Sequence, residues 1–231
     1  MSETRYAPLR ISCYAVNAIA SDGYLPLDGI LAALWMRENH PDVYYNDSVD
    51  AKDNLIEADL PLARLGVGAD WYYACSFCDA EWVVEEVTHW HKRNTITEQT
   101  RYLGDAAPKL NVAAGATKAY RMPLYLLSPG GRLTWYAVGD AAWLKARLLL
   151  VTNVGKKRAQ GHGEVIDWQV EEVAEDWSVL KDGRLMRSVP FGELPEGAEV
   201  FQPGSYALRP PYWHFDHQRD ALLLPVRRGA V

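Results

Sequence analysis

Along this chain the spacing of apolar residues switches from two to three-and-four and back again, twice over, and few architectures accommodate that order. Leu9, Ile11, Cys13 and Ala15 alternate with Arg10, Ser12 and Tyr14, the signature of a strand with one buried face. Beyond a turn at Ser21, Asp22 and Gly23, residues Leu27, Ile30, Leu31, Leu34 and Trp35 recur at helical spacing, with Asp28 placed to cap the helix start. Later, Asp140 is the cap expected for a helix carrying Trp143, Leu144, Leu148 and Leu149 and ending near Asn153 and Gly155. After a loop from Gly155 to Gly163, Ile166, Trp168 and Val170 alternate with Asp167, Gln169 and Glu171 in a closing strand.

Between the two helices, Trp71 to Phe77 and Glu81 to Thr88 read as strands paired with each other across Asp79. Tyr120 to Leu127 and Arg132 to Val138 flank Ser128, Pro129, Gly130 and Gly131, a turn composition that predicts a hairpin. The order strand, helix, strands, helix, loop, strand is that of a ferredoxin-like β-α-β-β-α-β unit, so the expected class is α+β. The expected layout is one such domain over residues 1–174, with an irregular insertion at about 38–68 holding one helical turn. A small Pro-containing β-rich extension over 175–231 should pack on it.

With 48% hydrophobic residues in 231, the chain can bury a sizeable core, which excludes a disordered protein. The longest apolar run is broken by Lys145 and Arg147, so no membrane partner is expected. No secretory leader is evident at the N-terminus and only three cysteines are present, so the expected location is the cytoplasm.

Charge is segregated rather than mixed. From Glu38 to Glu86 twelve acids face two bases, a net of −10; from Val87 to Gly163 twelve bases face three acids, a net of +9; from Glu164 to Glu199 ten acids face three bases, a net of −7. A solvated face would explain such a block, so the motifs inside it decide. The loop GKKRAQGHGE, Gly155 to Glu164, combines three glycines, which permit close backbone approach, with Lys156, Lys157, Arg158, Gln160 and His162 as donors, a polyphosphate cradle in composition. It has neither the spacing of a nucleotide P-loop nor the strand-first context of the dinucleotide fingerprint, so no cofactor is expected.

A basic glycine-rich loop joining the last helix to the last strand resembles the RNA-binding RAMP proteins of CRISPR systems, which share the RRM-like core. Within them the chain is most similar to the Cas-five-like subunit of type IV effector complexes. Four patches carry the resemblance: PLDGILAALW (Pro26 to Trp35), WHKRN (Trp90 to Asn94), VGKKRAQGHGEV (Val154 to Val165) and LRPPYW (Leu208 to Trp213). The resemblance implies a non-catalytic subunit that grips the 5′ handle of the guide RNA (crRNA), caps the ribonucleoprotein in antiviral and anti-plasmid defence, and contacts backbone and large subunits, with contact to target DNA left open. The residues that fit the role are Lys156, Lys157, Arg158, Gln160 and His162 of the loop together with His91, Lys92, Arg93, Arg101 and Arg121.

Two rival readings follow from the same residues. His89, His91 and His162 could act as general acid or base in a metal-independent endoribonuclease that processes precursor RNA, with Lys92 or Lys156 stabilising the transition state; no spacing singles them out. Alternatively the basic face docks protein alone. Cys75 and Cys78 form C-x-x-C, but zinc would need two more ligands, from His89 and His91 or His214 and His217, and packing explains a lone pair on a strand, so no metal is expected. LRPPYW should lock the C-terminal segment, leaving Arg209 and Tyr212 as candidates to face a partner.

Overall fold

A computed structural model of the chain describes residues 6–44, 55–92, 101, 118–199 and 201–223. Its centre is a three-stranded antiparallel sheet of β1 (Ala7–Ala15), β7 (Leu133–Gly139) and β8 (Val165–Glu172), ordered β7-β1-β8. Alternation in β1 sends Leu9, Ile11 and Cys13 to one face, where each is at most 1% exposed. Helices α1 (Leu27–Asn39) and α3 (Ala141–Leu148) supply Leu27, Leu31, Leu34, Leu144 and Leu148 to the same core, with Trp135 fully buried among them. The other sheet face is polar, carrying the Arg10–Glu171 pair and Arg132, which donates to Ser12 and Asp167.

The first strand and both helices stand where their periodicity put them, and Asp140 caps α3, its Oδ1 accepting from the N–H groups of Ala142 (2.9 Å) and Trp143 (3.0 Å). Other expectations need correction. Asp28 caps nothing. The N-cap of α1 is Pro26, and Asp28 lies fully buried inside the first turn. Helix α3 stops at Leu148, short of Asn153. In the closing strand Ile166 is 53% exposed while Val165 and Val170 are buried. The cause is a bulge opposite Ser12 and Tyr14, with Asp167 at φ +56°, which shifts the alternation by one residue.

The strand pairing between the helices also differs. β6 (Tyr120–Pro129) and β7 do not form a hairpin with each other: β7 lies along β1 from Ala7↔Gly139 to Cys13↔Leu133, where it buries Leu133, Trp135 and Ala137. β6 instead joins β2 (Ile19–Ala20) and β5 (Trp82–Lys92) in a second sheet, ordered β2-β6-β5. Nor do the two runs around Asp79 pair. β4 (Tyr72–Tyr73) pairs with β3 (Arg64–Leu65), and the following residues run antiparallel along β7 through bridges at Cys75↔Ala137 and Asp79↔Thr134. Burial decides here, because Tyr73, Cys75 and Phe77 are each 1% exposed in the interior, whereas Trp82 to Lys92 carries charged side chains on a surface ribbon.

Among the described residues of the 38–68 region, α2 (Pro41–Tyr44) supplies a helical turn. The C-terminal segment forms β9 (Leu180–Lys181), β10 (Arg184–Leu185), β11 (Val189–Pro190), β12 (Gln202–Ala207) and β13 (Gln218–Leu223), around a second apolar cluster with Leu185, Val189, Leu208 and Leu222. Arg187 joins the clusters. Fully buried, it donates to the carbonyls of Tyr73, Cys75 (3.0 Å), Ser188 (3.2 Å) and Leu208 (2.5 Å), and lies 3.8 Å from Asp28. Among the described residues no helix is long and apolar enough to cross a membrane.

Candidate nucleic-acid interface

The loop from Gly155 to Gly163 is pinned by its backbone before any side chain acts. The Lys156 N–H donates to the Ala20 carbonyl (2.7 Å), and the Gly163 N–H to the Ala18 carbonyl (3.0 Å). Asn17 clasps the far side, its Nδ2 donating to the Gly161 carbonyl (2.8 Å) while its Oδ1 accepts from the Glu164 N–H (3.0 Å). Gly163 has φ +69°, and a Cβ there would stand 2.0 Å from the Val154 carbonyl oxygen, so no other residue fits. The glycines therefore hold the loop against the β1–β2 connection, and the cations at 156–158 project from a fixed base.

Lys157 adopts a left-handed backbone (φ 56°, ψ 33°), a conformation that costs a non-glycine residue about 1 kcal/mol or more. Its ammonium lies 3.8 Å from the centroid of the Trp90 ring, a cation–π contact between the loop and the β5–β6 ribbon. Alternation along that ribbon puts Trp90 and Met122 on the face toward the loop and His91 and Arg121 on the opposite one. Trp90 packs on Tyr120 (5.0 Å between centroids), and Tyr120 and Met122 are each 40% exposed. On the opposite face an Arg121 N–H donates to His89 Nδ1 (3.0 Å), and the His89 and His91 rings are 6.2 Å apart. Lost hydration, then the charges of Arg121 and His91, hold His89 below the ordinary histidine range.

A cleft of about 560 Å³ opens between the loop and the C-terminal half of α1. Arg37, Lys157 and Arg158 line it with Thr152 and Asn153, and no Asp or Glu does among the described residues. Three like charges along one cleft favour the entry of an anion. Arg37 carried no signal in the sequence beyond a base in the last turn of a helix; its spacing from Ile30 and Ala33 places it on the groove side once the loop is known to lie there.

Other expected site residues are placed differently. Lys156 forms an exposed ion pair with Asp22 (3.0 Å). Gln160 and Arg101 are exposed, and the half-buried His162 belongs to a residue whose carbonyl accepts from Asn153 Nδ2 (3.0 Å). Lys92 ends β5, while Arg93 lies outside the described residues. Cys75 and Cys78 are buried and free, and burial pushes both thiols up, away from the thiolate form a metal would need. His217 Nε2 lies 3.1 Å from Glu57 Oε1, the same oxygen that Arg209 holds (2.9 and 3.0 Å), so that carboxylate is already neutralised by a guanidinium. Arg209 is 7% exposed, and Tyr212 turns inward, its hydroxyl donating to Asp28 Oδ1 (2.6 Å). Neither presents its polar head outward as LRPPYW suggested.

Comparison with known proteins gives one family: a model described as CRISPR type IV associated protein Csf3 matches residues 7–224. No curated protein matches the chain.

Proposed function

We propose, for a chain that belongs to the Csf3 family of type IV CRISPR-associated proteins, a role as the guide-RNA-binding subunit of the effector ribonucleoprotein. The observation that carries this reading is the meeting of Lys157 with Trp90 beside the cleft of Arg37, Lys157 and Arg158, which no Asp or Glu lines among the described residues. Single-stranded RNA is gripped by cations that track phosphates and by aromatic faces on which unstacked bases lie, and both are supplied where the loop meets the ribbon. The placement of residues 74–79 beside β7, which gives the order β8, β1, β7 and then this segment, supports a ferredoxin-like core of the RAMP kind, most like the Cas-five-like subunits. On this reading the chain holds the 5′ handle at one end of the complex, against backbone and large subunits, and cuts nothing.

Replacing Lys156, Lys157 and Arg158 together by Ala tests it. Repeat-derived RNA should bind more weakly, with a log–log salt slope shallower by about 0.7 for each phosphate no longer neutralised. Because Lys156 is already paired with Asp22, the weakening should come mainly from Lys157 and Arg158. Unchanged affinity and slope would refute the loop as the RNA site. A specific cut in the same RNA, abolished by His91→Ala or His162→Ala with binding intact, would replace this reading by the endoribonuclease one.

A further inference from the structure

A second cavity shares the α1 face with the cationic cleft but differs from it in chemistry. It measures about 260 Å³ and lies between the N-terminal half of α1, the start of the glycine-rich loop and the C-terminal segment. Pro26, Ile30 and Ala33 form one apolar wall and the rings of Tyr206 and Tyr212 another, while Lys156, Asp22 and Arg158 stand among its polar lining. Ile30, Ala33 and Arg158 line both cavities, so the two are successive stations of one groove, the first mostly apolar and aromatic, the second cationic.

We propose that this slot seats a single unstacked base of the guide RNA, with its neighbouring phosphates passing into the cleft of Arg37, Lys157 and Arg158. The inference rests on the RNA-binding reading above and specifies where that RNA lies. Four features carry it. The slot has the mixture expected of a nucleobase site, aromatic and aliphatic walls with a few polar groups among them. One wall is rigid, because the Tyr212 hydroxyl is held by the fully buried Asp28 carboxylate at 2.6 Å, whose other oxygen faces Arg187 at 3.8 Å. The same carboxylate oxygen accepts from the Gly29 N–H (2.9 Å), so one buried acid holds the ring and the helix start together. The ring lies close against α1 because residue 29 is glycine, where a Cβ would come within 3.1 Å of Pro26 Cγ and 3.4 Å of Tyr212 Cε2. Finally, the Lys156–Asp22 pair among the lining sets a donor and an acceptor side by side (3.0 Å), matching the alternating donors and acceptors of a base edge.

The test uses the full chain and guide RNAs that each carry one abasic position along the 5′ handle. Loss of one stacked base should weaken binding about tenfold at one position and little elsewhere. Tyr206→Leu removes one aromatic wall while leaving every cation in place and the cleft, which Tyr206 does not line, unaltered; it should bind the intact guide about tenfold more weakly and lose its sensitivity to that abasic position, with a cooperative melting transition retained. Wild-type affinity in Tyr206→Leu, or equal effects at all handle positions, would overturn the slot and leave salt-dependent RNA binding standing. The same position effect in single-stranded DNA of identical sequence, at equal strength, would overturn the assignment to the guide in favour of a displaced DNA strand. Failure of the wild-type chain to bind RNA at any salt would overturn both readings together.

Discussion

Arg187→Met should be among the most damaging single changes in this protein, although it touches nothing at the proposed interface. Met fills most of the volume, so the loss is electrostatic. The carbonyls of Tyr73, Cys75 and Leu208 lose the guanidinium, and Asp28, fully buried, loses the nearest cation. Removing one partner of a buried ion pair costs about 3–5 kcal/mol, because the other charge is left uncompensated. For a chain of this length that corresponds to a melting temperature lower by roughly 6–20 °C. Burial already raises the Asp28 carboxyl above its ordinary value, with Arg187 opposing the shift, so the variant should raise it further. The folded state then binds more protons than the unfolded one above about pH 3.9, and stability falls as pH rises from there to the folded-state value. A double-mutant cycle supplies the assay: urea unfolding of wild type, Arg187→Met, Asp28→Asn and the pair. Asp28→Asn in the Arg187→Met background should recover stability, with a coupling of about 0.5–3 kcal/mol. A loss under about 1 kcal/mol for Arg187→Met, or strict additivity, would refute the reasoning.

His217 is held below the ordinary histidine value by burial and by Arg209, against the pull of Glu57, so it binds its proton more weakly folded than unfolded. Stability should therefore fall as pH drops from about 6.5 toward the folded-state value, and His217→Gln should flatten that part of a urea-unfolding series between pH 5 and 8. Burial pushes Cys13 up to about 12 and raises Cys75 and Cys78 as well, so a thiol reagent at pH 8 should label essentially none of the three cysteines in the native protein and all three after denaturation; rapid native labelling would contradict the buried placement.

The parts legible in the sequence are those whose structure is local or one-faced. The alternation at Leu9, Ile11 and Cys13, the helical spacing from Leu27 to Leu34 and the cap at Asp140 each need only a few neighbours to be right. Pairing was not legible where chain proximity and burial disagree. Tyr120–Pro129 and Leu133–Gly139 look like a hairpin because Pro129, Gly130 and Gly131 turn the chain, yet the β1 edge offers Leu133 and Trp135 a deeper core than β6 does. The bulge at Asp167 left no mark in composition, since an aspartate at positive φ looks like any polar residue of a strand. At the interface, the loop cations were visible as a charge run, whereas Arg37, Tyr206 and Tyr212 belong to segments far apart in sequence and meet only through tertiary packing.

The β5–β6 ribbon has a consequence for the protein on its own. Among the described residues the outer edge of β5, which runs for eleven residues, has no partner strand. Val83 and Val87, more than half exposed, lie along it, and so long an open edge can template the addition of another chain. Glu85 and Glu86 put like charges along the strand, a feature that disfavours pairing with a second copy. The same strand that keeps Trp90 under Lys157 thus carries the charges that guard its own edge, and salt that weakens RNA binding also screens that guard.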